Sequence, residues 1–195
     1  ADPYRDIDML IDQMMSMGFS GITNVPTAGA YDGRFRHRID TAGVGYPEEI
    51  KLIRKCSEKD IFTVAYAYTP DEVKAMIQAG VDVIGAHVGA TSGGTCGFED
   101  TYSMEEACER TQEMYEMAVK ENPDVSIVCI SSLLSTTLHE LKQVVKALRK
   151  NDPKHTYKIM IGGGAVSKEL AEQMGADGYT DNCVDAAEMA KKFVL

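Results

Sequence analysis

At 195 residues the chain is long enough for one ordinary α/β domain and too short for a complete eight-unit (βα) barrel, which takes about 250. Its 44% hydrophobic and 26% charged residues match ordinary globular usage and exclude disordered and fibrous classes. A net charge of -10, with no block of Lys and Arg, speaks against nucleic acid and anionic membranes as partners.

The chain opens on a helix-like segment at 4–17, where a βα protein usually opens on a strand, so a preceding strand is expected to be missing. A short apolar run at 19–25 reads as the first strand. The loop after it is about twenty residues long, far beyond the usual βα connection, and such length points to function. It offers Asn24 and Thr27 as hydrogen-bonding groups, Asp32 as a carboxylate, and Arg34 and Arg36 as anion partners. A helix at 46–58 and a strand at 61–66 follow. Thr69-Pro70-Asp71-Glu72 then starts a helix over 70–79, with a capping hydroxyl, proline at the first helical position and acids in the first turn.

The third strand, 81–87, ends on His87, a residue placed for acid/base work. The glycine-rich loop beyond it carries Thr91, Ser92, Gly93 and Gly94, which can turn backbone N–H groups toward an anion. Ser103-Met104-Glu105-Glu106 reads as a capping box opening a helix over 103–121. A strand at 125–130 runs into Ser131, Ser132, Ser135, Thr136 and Thr137, and a helix at 136–151 follows. A strand at 157–161 leads to Gly162, Gly163 and Gly164, where close approach of a ligand to the backbone is the favoured reading. Helices at 166–174 and 184–194 flank a last strand at 176–179, and Gly80 and Gly175 suit the position just past a helix end.

Six short Val- and Ile-rich runs alternating with seven helices predict a mostly parallel sheet of about six strands, buried on both faces and with helices on both sides. An open flavodoxin-like sheet is favoured, and a partly closed (βα) barrel is the alternative. Nothing resembling a linker divides the chain, so one α/β domain spanning 1–195 is expected. Five cysteines, an odd number without a CxxC, predict a reducing and cytoplasmic setting. No apolar run reaches membrane-spanning length, and no histidine–cysteine spacing suits a metal. Asp32 and His87 are the candidate catalytic pair; Arg36, with Thr91, Ser92, Gly93 and Gly94, is the candidate anion-binding set.

Two family resemblances meet in this chain. The stretches DPYRDIDMLID, GFSGITNVPTAGAYDGRFR, AGVGYPEEIKLIRK, FTVAYAYTPDEVKAMIQAGVDVIGAHVGATSGGTCG and NPDVSIVC resemble the phosphoenolpyruvate-hydrolase-like family of TIM barrels. That likeness covers residues 1 to about 130. The stretches PDVSIVCISSLLSTTLHELKQVVKALR and KIMIGGGAVSKELAEQMGADGYTDNCVDAAEMAKKFV resemble the C-terminal half of cobalamin-binding, flavodoxin-like corrinoid domains. The join is expected near 124, giving segments 1–124 and 125–195, as in a natural intermediate, a recombined gene or a chimera.

The corrinoid resemblance implies that Ser131, Leu133, Thr136, Thr137, Gly162 and Gly163 line the nucleotide tail of a cobalamin, with Tyr179 a further candidate binding residue near the same rim. Its D-x-H-x-x-G loop is absent, so cobalamin binding is expected to be weak or base-on. The barrel resemblance implies instead a hydrolase or lyase for a small phosphorylated or carboxylate substrate. A binding module for a small anionic or nucleotide-tailed ligand, an enzyme and an inactive scaffold all stay open. Exposed sheet edges favour a homodimer.

Overall fold

The computed structural model describes residues 5–89, 102–124, 126–132 and 135–194. In chain order these form α1 (Ile7–Ser16), β1 (Ile22–Thr23), α2 (Gly33–Thr41), α3 (Tyr46–Glu58), β2 (Thr63–Ala67), α4 (Pro70–Gln78) and β3 (Val83–Ala86). Then come α5 (Met104–Glu121), β4 (Ile127–Ser131), α6 (Leu138–Asn151), β5 (Lys158–Gly162), α7 (Lys168–Met174), β6 (Gly178–Tyr179) and α8 (Cys183–Val194). The fold is α/β, with every strand pair parallel.

The six strands do not share one ladder. Among the described residues they form two open three-stranded sheets, β1-β2-β3 and β4-β5-β6. The barrel alternative is therefore not met, because neither ladder closes on itself. The chain divides into two compact units, Ala1–Pro123 and Asp124–Leu195.

The predicted helix starts are present because their caps are made. Thr69 Oγ1 accepts from the Glu72 N–H at 3.2 Å. Ser103 and Glu106 cap each other, side chain to backbone, at 3.2 and 2.8 Å. Ser167 Oγ accepts from the Leu170 N–H at 3.3 Å. The helix α2 falls inside the stretch expected to be a long loop. Its stretch, Gly33–Thr41, has no buried residue and hence no apolar stripe to betray a helical period. The ion pairs and hydrogen bonds of Arg36 hold it, together with half-buried Ile39, which packs against the core.

Burial on both faces holds for β5, where Ile159, Met160 and Ile161 are all buried. In β2 it alternates: Thr63, Ala65 and Ala67 are fully buried, whereas Val64 and Tyr66 are half-buried. The core of the first unit lies on the Ala65 side, where Tyr46, Ile53, Met76 and Ala79 pack. Edge strand β3 leaves Val83 exposed.

One device recurs in both units. In Gly80-Val81-Asp82 a glycine at φ 84° follows α4. Asp82 Oδ2 then accepts from the Thr63 N–H at 2.7 Å, tying down the first amide of the neighbouring strand. In Gly175-Ala176-Asp177 the glycine stands at φ 85° after α7. Asp177 Oδ2 accepts from the Ile159 N–H at 2.7 Å. Each aspartate sits one residue ahead of the first pair of its ladder, Val64 with Val83 and Met160 with Gly178. Burial works against the Asp177 carboxylate, but Ile159 N–H and Arg149 more than offset it and hold it below the usual range. No described helix is long and apolar enough to cross a membrane.

Candidate functional site

Ligands of parallel α/β folds sit beyond the C-terminal strand ends, so each sheet offers one rim. In the first unit β1 is only two residues long, and a side chain extends it. Asn24 Oδ1 accepts from the Tyr66 N–H at 2.8 Å, and its Nδ2 donates to the Tyr66 carbonyl at 3.0 Å. Asn24 Nδ2 also donates to Glu49 at 2.7 Å. The same buried carboxylate accepts from Thr27 Oγ1 at 2.7 Å and from the Ala28 N–H at 2.6 Å. Asn24 and Thr27, which sequence reading offers to a ligand, are thus engaged by Glu49. Tyr46 donates its hydroxyl to the Tyr66 carbonyl at 2.8 Å, and burial, reinforced by Glu72 and Glu49, pushes its ionisation up.

Arg36 is the anchor of α2. Its Nε meets Asp40 at 3.1 Å, its Nη1 donates to the Ala28 carbonyl at 3.1 Å, and its Nη2 pairs with Glu72 at 3.0 Å. Burial works against its charge, but Glu72 and Asp40 outweigh that and raise its pKa above the ordinary value. Its donors on both sides of the fork therefore serve the fold. Arg36→Ala is expected to lower the stability of the first unit by about 2–3 kcal/mol, since it leaves Glu72 without its cation. Urea unfolding followed by circular dichroism checks this; a midpoint within error of wild type would mean that the pairs are solvent-equivalent.

His87 stands at the end of β3, its N–H donating to the Ala67 carbonyl at 2.9 Å. Nδ1 accepts from the Gly89 N–H at 3.0 Å, which puts the neutral ring's proton on Nε2. Burial lowers its pKa and favours that neutral form. The ring packs on Tyr68 with centroids 4.8 Å apart. Asp32 opens α2 without a side-chain capping bond, and no hydrogen bond joins it to His87 among the described residues. Thr91, Ser92, Gly93 and Gly94 lie outside the described residues.

Sequence reading missed Arg110. It lies in a charged stretch of α5 that carries no motif, so only the fold exposes its position. Its Nη2 donates to the Tyr68 carbonyl at 3.1 Å, and its guanidinium lies 4.4 Å from the Tyr102 ring centroid. Its Nε is buried and has no hydrogen-bond partner among the described residues.

In the second unit the rim is built from the ends of β4, β5 and β6. The Ser132 N–H donates to the Gly162 carbonyl at 3.1 Å, and the Ala165 N–H reaches back to the Ser132 carbonyl at 3.4 Å. Ser131 and Thr136 are exposed. Tyr179 donates its hydroxyl to the Val166 carbonyl at 3.0 Å and so braces the loop after β5. Leu133 lies outside the described residues, and Thr137 is placed only as part of the short turn Ser135–Thr137. The glycines differ in what they face. A Cβ on Gly163 would meet the Ser132 backbone, one on Gly162 only the Thr180 carbonyl at 3.4 Å, and one on Gly164 nothing within 4 Å.

Comparison with known proteins bears on both units. The family model described as phosphoenolpyruvate hydrolase-like matches residues 1–152. The ToMV susceptible protein tm-1(GCR26) of Solanum lycopersicum is 36% identical over 135 residues, 69% of this chain and 18% of that protein. A corrinoid protein of Desulfitobacterium hafniense is 32% identical over 78 residues, 40% of this chain and 36% of that protein. The chain thus spans well under half of the curated relatives it matches. A crystal structure of a cobalamin-binding protein from Desulfitobacterium hafniense DCB-2 aligns over 97% of this chain and 91% of its own, at 16% identity and a TM-score of 0.41. So loose a likeness carries no inference about ligand.

Proposed function

The chain belongs to the phosphoenolpyruvate hydrolase-like family, and we propose that its second unit, Asp124–Leu195, is a binding module for a nucleotide-tailed small molecule of the corrinoid type. The seat is the rim formed by Ser131, Thr136, Gly162 and Gly164. The observation that carries this reading is Gly164. It has no positive φ, and open space lies where its Cβ would stand. Neither backbone conformation nor internal crowding therefore asks for glycine there, whereas an approaching ligand does. The exposed hydroxyls of Ser131 and Thr136 add hydrogen-bonding groups along the same strand ends. The corrinoid relatives support the same class of ligand.

The residues fit the tail of such a cofactor and not its metal. His139 sits on the exposed surface of α6 beside Gln143, and His155 precedes β5, at the end of the strand away from the rim. Ser131, Thr136, Gly162 and Gly164 would hold the tail of a bound corrinoid, whose cobalt would supply methyl-transfer chemistry. Hydroxocobalamin titrated into the chain is expected to bind at least tenfold more tightly than dicyanocobinamide, which lacks the tail. Gly164→Val should weaken cobalamin at least tenfold with an unchanged melting temperature. Equal affinity for the two corrinoids, an indifferent Gly164→Val, or a histidine–cobalt absorption spectrum would each remove the reading.

One observation favours a different reading, placed in the first unit. His87 holds a neutral ring with its Nε2–H free of the Gly89 contact at a strand end. That suits proton handling in a hydrolase or lyase acting on a small phosphorylated or carboxylate substrate. Arg36 is engaged elsewhere, so such an enzyme needs another cation to hold its substrate.

A further inference from the structure

We propose that Arg110 and His87 form an anion-binding site at the C-terminal ends of β2 and β3, taking the carboxylate or phosphate of a small ligand. The site supplies what the hydrolase reading lacks, and it is independent of the corrinoid reading. Two constraints fix the Arg110 guanidinium. Its Nη2 is held by the Tyr68 carbonyl at 3.1 Å, and one neighbouring face is the Tyr102 ring at 4.4 Å. Among the donors left over, the Nε–H is buried and without a partner among the described residues. Buried polar groups in folded proteins are almost always satisfied, so an orphaned one invites explanation. No ion pair to Arg110 is seen among the described residues, whereas Arg36 is neutralised by Asp40 and Glu72. Among the described residues, Arg110 is thus held in place by a carbonyl and a ring rather than by an acid. Its planar fork matches two oxygens of a carboxylate or phosphate.

His87 packs against the same residue. Its ring packs on Tyr68 at 4.8 Å while the Tyr68 carbonyl holds Arg110. With Nδ1 accepting from the Gly89 N–H, the ring presents Nε2–H as a donor. Two donors are thus gathered about Tyr68 at the edge where parallel sheets place their ligands.

The test is a titration of the 15N-labelled full chain with inorganic phosphate and, separately, with malonate, followed through the side-chain Nε–H of Arg110 and the imidazole nitrogens of His87. Both are expected to shift and saturate. Tighter phosphate assigns a phosphoryl ligand and tighter malonate a carboxylate. Arg110→Gln should weaken binding at least tenfold, and Arg110→Lys, which keeps the charge and loses the fork, by about threefold to tenfold. Where Arg110→Gln fails to fold, the wild-type titration decides. An absence of saturable shifts, or undiminished affinity in folded Arg110→Gln, overturns the site. Saturable binding without phosphoenolpyruvate turnover leaves the site standing and removes the hydrolase reading.

Discussion

Glu49→Ala is expected to destabilise the first unit by about 3–5 kcal/mol, a large share of the stability of any domain. Glu49 is 3% exposed, and its carboxylate accepts from Asn24, Thr27 and the Ala28 N–H. Alanine leaves the Thr27 hydroxyl, the Ala28 N–H and one of the two Asn24 amide hydrogens without their buried acceptor, and each orphan costs about 1–3 kcal/mol. The loss spreads further, because Asn24 is what prolongs the pairing of β1 with β2 beyond Thr23. Glu49→Gln keeps the shape and one acceptor but turns an amide N–H toward donors, so about half the penalty is expected. Thermal unfolding followed by circular dichroism should show a fall of at least about 10 °C for alanine. A loss below about 1 kcal/mol would mean that water replaces the carboxylate.

Glu49 also shows where the sequence is opaque. Glu48 and Glu49 are both acids in the first turn of α3, where the helix dipole favours them. Yet Glu48 pairs with Lys51 at 2.6 Å on the surface, while Glu49 turns inward and organises the rim. Nothing in a helical period separates these neighbours; only the arrival of the chain after β1 does. The same holds for Arg36 and Arg110. By its sequence Arg36 suits an anion site because it lies in a long loop, but that loop contains α2 and engages the arginine through Asp40 and the Ala28 carbonyl, while Glu72 of α4 takes its remaining end. Arg110 passes for helix surface until Tyr68 and Tyr102 are folded against it.

What the sequence does carry is local chemistry. The caps at Thr69, Ser103 and Ser167 involve residues three apart, so their hydrogen bonds are written into the chain. The parallel pairing follows from alternation of strand and helix. The number of sheets does not, because which strands meet depends on contacts between distant segments. The shared Gly-x-Asp device offers a physical reason why two such halves can stand in one chain. Each half fixes its own register, at Thr63 and at Ile159, with an aspartate that follows its own helix. Neither requires the other's strands.

Gly163→Ala is expected to cost the second unit about 3–5 kcal/mol, while Gly164→Ala stays within about 0.5 kcal/mol of wild type. Gly163 stands at φ 102°, in the region that side-chain-bearing residues avoid. A Cβ there would lie 2.2 Å from the Ser132 carbonyl oxygen, 2.7 Å from its carbon and 2.8 Å from the Ser132 nitrogen. These are backbone atoms that cannot swing aside, and they carry the Ser132–Gly162 and Ala165–Ser132 hydrogen bonds that join the ends of β4 and β5. Relief therefore means pulling the two strand ends apart. Conformational strain of about 1–3 kcal/mol adds to an overpacking term of similar size. Gly164 has neither problem, since open space lies beyond it. The two adjacent glycines should separate cleanly in urea unfolding, one setting the fold of the rim and the other leaving room above it. Equal midpoints for the two alanine variants would contradict this division. A Gly164→Val variant that keeps full stability and loses cobalamin would then assign the open space to a ligand.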